Sequence, residues 1–155
     1  MEKLKQLLAE ANTLMNRADH LTYITYPVVN EIKLLYTVVE NLSKSVSTGM
    51  DAVLYYDRLY KRIMRPQGSF QDELDLFSRH SMPRYNIDRK HVLLIRDLKS
   101  FVEAKKKSPM EFVRRDKFVI CSDTYKMKVL NIKKVKEYLA QSKEFISQVN
   151  RTIRC

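Results

Sequence analysis

Apolar side chains recur every three or four residues along the first part of the chain, with charged and amide side chains between them. This spacing predicts an amphipathic helix that runs to about Thr22. Residues Tyr23 to Pro27 are β-branched or aromatic and end in a proline, which predicts an extended connector. The apolar face of the helix consists of Leu4, Leu7, Leu8, Ala11, Leu14, Met15, Ala18 and Leu21.

A second apolar pattern begins at Pro27, and its spacing predicts a long helix. From Val28 to Met64 this helix would span about 55 Å at 1.5 Å per residue. Small polar side chains weaken it at Ser43–Gly49. Either the helix kinks there or another helix crosses it closely, and the unbroken phase through Gly49 favours the crossing. The apolar seam consists of Val28, Ile32, Leu35, Val39, Leu42, Val46, Gly49, Val53 and Tyr60.

The middle of the chain contains turn and capping signals. Arg65-Pro66-Gln67-Gly68 ends the second helix, and Ser69-Phe70-Gln71-Asp72 resembles a capping box that starts a short helix through Phe77. Residues Arg79 to Asn86 are polar and interrupted by a proline, which predicts a loop. Asp88 is then predicted to cap the next helix.

The helix after Asp88 is predicted to end at Lys105-Lys106-Lys107, since cations are favourable at the negative end of the helix dipole. Ser108-Pro109-Met110-Glu111 follows, with serine at the N-cap, proline at the first helical position and glutamate at the third. This pattern predicts a short helix through about Arg115.

Two short segments predict a β-hairpin at about 117–130: Phe118–Cys121 and Tyr125–Val129, joined by a turn at 122–124. The face with Tyr125, Met127 and Val129 is expected to lie on the helices, because an isolated hairpin is only marginally stable. Asn131 is predicted to cap a long last helix. The predicted fold is a mainly all-α single domain of 155 residues, with two long N-terminal helices, a long C-terminal helix and one hairpin.

Charge is distributed unevenly along the chain. Lys and Arg number 29 and Asp and Glu 18, a formal net charge of +11, yet residues 1–60 contain six basic and seven acidic side chains. The excess is densest from Lys99 to Lys136, which indicates a polyanionic partner, while a solvated lysine surface is the alternative. The expected polyanion-binding residues are Lys105, Lys106, Lys107, Arg114, Arg115, Lys117, Lys126, Lys128, Lys133 and Lys134.

Several classes of protein receive no support. Cys121 and Cys155 lack metal-ligand or redox spacing, so we expect reduced thiols, no metal and no cofactor. The N-terminal stretch is amphipathic and unlike a signal peptide, and no run of about 18 apolar residues predicts a transmembrane segment. These observations favour a soluble, cytoplasmic protein.

A tyrosine-rich stretch lies near the end of the second predicted helix. Its tyrosines are interleaved with cations, a combination that can stack on nucleic-acid bases. Helical spacing favours packing of these rings in the core instead. The tyrosines are Tyr55, Tyr56 and Tyr60, and the cations are Arg58, Lys61, Arg62 and Arg65.

Residues 84–91, Arg-Tyr-Asn-Ile-Asp-Arg-Lys-His, place an arginine, six residues and a histidine at the start of a predicted helix. The stretch resembles the Arg-x(4–6)-His motif of HEPN domains, small all-α bundles that include many ribonucleases with two such motifs at a dimer interface. The resemblance implies that His91 acts as acid/base, that Arg84 stabilises the phosphoryl transition state and that Asn86 assists. An exposed arginine and a histidine in a first helical turn remain the favoured interpretation.

Three functions follow from these observations. The first is a non-catalytic basic module that binds nucleic acid, RNA rather than DNA, or a ribonucleoprotein surface. The second is a HEPN-like, metal-independent ribonuclease, and the third is a protein-interaction adaptor that uses the long second helix. A homodimer or a protein partner is compatible with each, and a non-enzymatic role is favoured.

Overall fold

A computed structural model describes residues 2–60, 68–108, 110–121 and 126–153. The described chain is mainly α-helical with a small antiparallel sheet, which confirms the predicted fold class. The helices are α1 (Glu2–His20), α2 (Tyr26–Val29), α3 (Leu34–Leu59), α4 (Phe70–Leu76), α5 (Met82–Tyr85), α6 (Lys90–Lys107) and α7 (Ile132–Thr152), and the strands are β1 (Met110–Arg114), β2 (Lys117–Cys121) and β3 (Met127–Leu130).

Helix α3 forms the centre of the bundle, packed against α1, α6 and α7. It runs unbroken through Gly49, where an added Cβ would lie 2.9 Å from Cδ1 of Ile146 on α7. The predicted close crossing is therefore confirmed. The buried Ser45 hydroxyl donates a hydrogen bond of 2.7 Å to the Ala11 carbonyl, so this small-residue segment also contacts α1 closely.

The two ends of the predicted seam lie outside the core. Val28 belongs to α2 and is 84% exposed, and α3 begins only at Leu34. Tyr60 follows the last residue of α3 and is 52% exposed, so its predicted core position is wrong. The prediction that the helix continues to Met64, and its ending at Arg65–Gln67, lie outside the described residues.

Two corners of the bundle have the same construction. Helix α1 continues into a π-helical turn at Leu21–Thr25 and then α2, and the corner ends at Asn30 in the left-handed region, with φ of 54°. Helix α4 continues into a π-helical turn at Phe77–Ser81 and then α5, and this corner ends at Asn86 with φ of 55°. Each asparagine redirects the chain, because this residue tolerates left-handed backbone better than most.

The prolines explain why these corners were predicted as irregular. Pro27 and Pro83 lie in the first turn of α2 and α5, each directly after a π-helical turn. The preceding π-helical turn widens the helix and makes room for the ring. The predicted extended connector at Tyr23–Pro27 and the predicted loop at Arg79–Asn86 are therefore wrong.

The helix starts follow the sequence closely. Ser69 and Asp72 form the predicted capping box, each side chain accepting from the backbone N–H of the other. The Asn131 side chain accepts from the Lys134 N–H at 2.8 Å and caps α7, as predicted. At the start of α6 the N-cap residue is Arg89 and not the predicted Asp88, although the Asp88 carboxylate accepts from the Lys90 N–H at 3.0 Å.

Strand β1 occupies most of the segment predicted as a short helix at Ser108–Arg115, so that prediction is wrong. The Ser108 hydroxyl accepts from the Met110 N–H at 3.2 Å and donates to the Cys121 carbonyl at 2.6 Å, which holds the start of β1 against β2. Pairing with the buried strand β2 overrides the local capping signal. The sheet has the order β1-β2-β3, and Pro109 and residues 122–125 lie outside the described part.

Strands β2 and β3 pair antiparallel, as the hairpin prediction requires. However, the side of β3 that faces the helices is the opposite of the predicted one. Met127 is 61% exposed, whereas Leu130 is fully buried and Lys128 reaches α6. The prediction that Met127 and Val129 face the bundle is wrong. Tyr125, the third member of that face, lies outside the described residues.

Within the described residues, none of the helices has the length and apolar character needed to cross a membrane.

Candidate functional site

One end of the bundle carries the sheet, and we call it the sheet end. The start of α3 is there, since the rings of Tyr36 and Phe118 lie 5.9 Å apart. The end of α6 is there as well, with the Lys105 ammonium 4.8 Å from the Tyr36 ring. The start of α7 is adjacent, since the Lys134 ammonium lies 5.4 Å from the Phe101 ring of α6. The predicted polyanion-binding residues on these elements therefore all lie at one end of the molecule.

The turn between β1 and β2 carries the most exposed of these cations. Arg114 and Lys117 are directly paired across the two strands and Arg115 follows in the left-handed region, with φ of 58°. All three are exposed, and none forms an ion pair with a described residue. Like charges directly opposite each other on a sheet are destabilising. The turn therefore has an unbalanced positive charge, although Asp116 lies between these residues.

The three lysines at the end of α6 differ in their surroundings. Lys105 forms an ion pair of 3.3 Å with Glu111 of β1 and covers the Tyr36 ring, so its charge is partly neutralised. Lys106 and Lys107 are exposed. Their charges are favourable at this C-terminal end of the helix dipole.

Lys128 and Lys134 line a cleft of about 410 Å³ between α6, β3 and α7. The Lys128 ammonium donates to the Ser100 hydroxyl at 3.0 Å and lies 5.0 Å from the Phe101 ring. The Lys134 ammonium approaches the same ring at 5.4 Å. These two lysines are held by cation–π contacts and are less available to a large ligand than the cations of the β1–β2 turn.

Tyr138 forms another wall of this cleft. Burial, together with the charges of Asp97 and Glu137, raises the pKa of Tyr138 to about 12. Its hydroxyl therefore stays protonated at neutral pH. Asp97 also lines the cleft and offsets part of the lysine charge.

The remaining predicted cations are at the edges of the sheet end. Lys126 immediately precedes β3, and Lys133 lies in the first turn of α7; both are exposed. The first turn of α7 contains no acidic residue, so Lys133 and Lys134 lie unfavourably at the positive end of the helix dipole.

The residues of the HEPN-like stretch lie at the opposite end of the bundle and do not form a cluster around His91. The His91 side chain is fully buried, 5.2 Å from the Phe145 ring, and the Gln148 side chain lies beside it. Asn86 provides the left-handed corner. Burial lowers the pKa of His91, which opposes protonation, although Glu144 acts in the other direction.

Arg84 is instead part of a polar cluster around Asp57. The Asp57 carboxylate of α3 is fully buried; it pairs with the Arg84 guanidinium at 3.2 Å and accepts a hydrogen bond of 2.6 Å from Ser81. The Tyr85 hydroxyl also donates to it. No local pattern in the sequence marks this cluster, because Asp57 and its partners are more than twenty residues apart in the chain.

The tyrosines of the other candidate cluster are only partly in the core. The Tyr55 ring is half-buried between Lys3 and Arg58, at 5.6 and 4.9 Å. Tyr56 and Tyr60 contact each other edge to face at 4.9 Å. The interleaved cations Lys61, Arg62 and Arg65 lie outside the described residues.

A pair of carboxyl groups lies near Tyr55. Asp51 of α3 and Glu73 of α4 line a cleft of about 300 Å³ together with Lys3. Burial, followed by the charge of Glu73, raises the pKa of Asp51 to about 7. No signal in the sequence links these residues, which are on different helices. No group of three or more His, Cys, Asp or Glu side chains in the described chain is arranged to hold a metal ion.

No protein-family model matches this chain, and neither a curated protein nor a solved structure is significantly similar to it.

Proposed function

We propose that this chain is a non-catalytic module that binds RNA or a similar polyanion through the cations of the sheet end. The observation that carries the proposal is the pair Arg114 and Lys117, which are directly opposed and exposed without an ion-pair partner among the described residues. A phosphate bound between these two side chains offsets the repulsion between their positive charges, which no ion pair with a described residue compensates in the free protein.

The mechanism is neutralisation of phosphates by cations, with release of counterions. Arg114, Arg115 and Lys117 make the main contacts, and Lys106 and Lys107 extend the positive surface beyond the other end of β1. Such contacts position a nucleic acid without reading its sequence. RNA is preferred over DNA because, among the described residues of the sheet end, no helix protrudes in the way that a major-groove reader requires.

The ribonuclease alternative receives less support from the geometry. A general acid/base must come within hydrogen-bond reach of its substrate, and the His91 ring has no exposed surface. The adaptor alternative has a similar difficulty, because the central seam of α3 is covered inside the chain. The buried seam residues are Leu35, Val39, Leu42, Val46, Gly49 and Val53.

A titration of labelled RNA with the purified protein, at low and at moderate salt, tests the proposal. We expect binding that weakens steeply with salt, and intact RNA on a denaturing gel of the same samples. Cleavage that disappears in His91→Ala would favour the ribonuclease instead. Absence of binding at low salt would refute the proposal and direct attention to a protein partner.

A further inference from the structure

The outer face of the sheet is apolar where an antiparallel sheet usually presents polar side chains to water. Strand alternation defines this face, because Phe118 packs on Tyr36 and Lys128 on α6, so their neighbours along each strand point outward. The register places the outward side chains in three rows: Met110–Cys121–Met127, then Phe112–Val119–Val129, then Arg114–Lys117.

The edges of this face are open to solvent, whereas Val119 at its centre is buried, with 5% of its surface exposed. Phe112 is 40% exposed and Met127 61% exposed, and Met110 is also exposed. Exposed apolar side chains that lie together beside charged ones are typical of binding surfaces.

A ligand that fits the outer face of the sheet must combine a flat apolar group with an anion. Phe112 and Arg114 lie two residues apart on the same face of β1, about 7 Å along the strand. A nucleotide covers such a distance between its base and its phosphate, and bases stack on aromatic side chains beside cations. A duplex keeps its bases stacked inside and presents only phosphates to this face.

We infer that the outer face of the sheet binds single-stranded nucleic acid, with a base stacked on Phe112 and a phosphate between Arg114 and Lys117. This inference rests on the proposed function and makes it more specific, because polyanion binding alone requires only the cations. The exposed methionines Met110 and Met127 extend the apolar surface for a neighbouring base.

Tryptophan fluorescence provides a direct test, because the chain contains no tryptophan. Phe112→Trp places the only indole on the outer face, and Val113→Trp places it at the adjacent position, which is 43% exposed and points to the other side. We expect an oligouridine of twelve nucleotides to quench the fluorescence of Phe112→Trp strongly and that of Val113→Trp little. Equal quenching of the two variants would overturn the inference.

Affinity measurements separate the inference from the proposed function. We expect Phe112→Ala to weaken oligouridine binding about 10-fold and to leave the affinity for an RNA duplex unchanged. Phe112→Leu keeps an apolar side chain opposite Val119 and replaces the alanine variant if that variant folds poorly. It should also weaken binding to the single strand, because leucine has no ring on which a base can stack.

Three outcomes would overturn the inference. If both Phe112 variants bind single strands and duplexes like wild type, stacking is absent while polyanion binding stands. If wild type binds neither nucleic acid, the inference and the proposed function both fail. If the protein self-associates at micromolar concentration and Phe112→Ala abolishes the association, the face is an interface with a second copy.

Discussion

His91 lies five residues after the left-handed Asn86, and Leu35 lies five residues after the left-handed Asn30. Both side chains are buried at the beginning of a long helix that follows a corner of the same construction. This equivalence gives His91 the position of a core leucine. The histidine to which the resemblance to HEPN domains assigned an acid/base role therefore has a structural explanation that needs no substrate.

The pH dependence of stability tests this explanation. Because burial lowers the pKa of His91, the unfolded chain binds a proton below about pH 6.5 that the folded ring does not, so stability falls on acidification. We expect His91→Leu to reduce this loss and to stay within about 1 kcal/mol of wild type at pH 8. Urea unfolding between pH 5 and pH 8 measures both, and identical pH profiles for the two proteins would contradict the explanation.

Asp51 makes stability depend on pH in the opposite direction from His91. Its pKa of about 7 lies above the ordinary value, so the folded chain keeps a proton that the unfolded chain releases, and stability is lost as the pH rises from about 4 to 7. We expect Asp51→Asn, which removes the negative charge facing Glu73, to be more stable than wild type at pH 8 and to lack this loss. The same urea series provides the measurement; a variant less stable than wild type at pH 8 would argue against a raised pKa.

The buried carboxylate of Asp57 is the other residue whose removal should matter. Asp57→Ala leaves the Ser81 and Tyr85 hydroxyls and the Arg84 guanidinium without their acceptor. We expect a loss of about 3 to 5 kcal/mol in the free energy of unfolding. Asp116→Ala is the matched control, because Asp116 is exposed in the β1–β2 turn. Similar urea midpoints for the two variants would show that the Asp57 cluster contributes little.

At the scale of elements, the crossing of α3 and α7 depends on Gly49. An alanine there gains about 1 kcal/mol of helix propensity but must displace Cδ1 of Ile146, 2.9 Å from the new Cβ. We expect Gly49→Ala to be close to neutral and Gly49→Leu to lose more than about 2 kcal/mol, because the larger side chain also meets Phe145 and Val149.

The double variant Gly49→Ala/Ile146→Val isolates this contact. Valine lacks the displaced methyl group, so the alanine should stabilise the Ile146→Val background more than it stabilises wild type. Thermal or urea unfolding of the four proteins in this cycle gives the coupling energy. Strict additivity would show that the Ile146 methyl group moves aside without cost.

A helix or strand could be predicted from the sequence where nearby side chains determine it. It could not be predicted where pairing with another strand determines it. The caps at Ser69 and Asn131 depend on side chains within three residues, and both predictions are confirmed. The segment after Ser108 has an equally good local signal, yet it is a strand, because β2 offers a partner that the local sequence does not reveal. The same limitation affects the corners, where the π-helical turns that accommodate Pro27 and Pro83 have no recognised sequence pattern.

At the scale of the whole molecule, the charge excess was evident from the sequence, but its convergence at one end depended on where the predicted hairpin packs. The cations lie together because α6 and α7 are antiparallel, so the end of one and the start of the other meet beside the sheet. The Phe112 face was missed for a related reason, since residues 108–115 were predicted to be helical. The positions of charged residues in space depend on how the helices and strands are connected and packed, and composition does not give this information.

The salt dependence of RNA binding by two matched triple variants tests polyanion binding at the sheet end most directly. Arg114→Glu/Arg115→Glu/Lys117→Glu reverses the cations of the β1–β2 turn. Lys5→Glu/Arg79→Glu/Arg89→Glu makes the same change in net charge at exposed positions away from the sheet. We predict that the first variant binds much more weakly and that its slope of log affinity against log salt decreases by about 2, while the second stays close to wild type. Equal weakening of the two variants would mean that only total charge matters and would contradict a defined site at the sheet end.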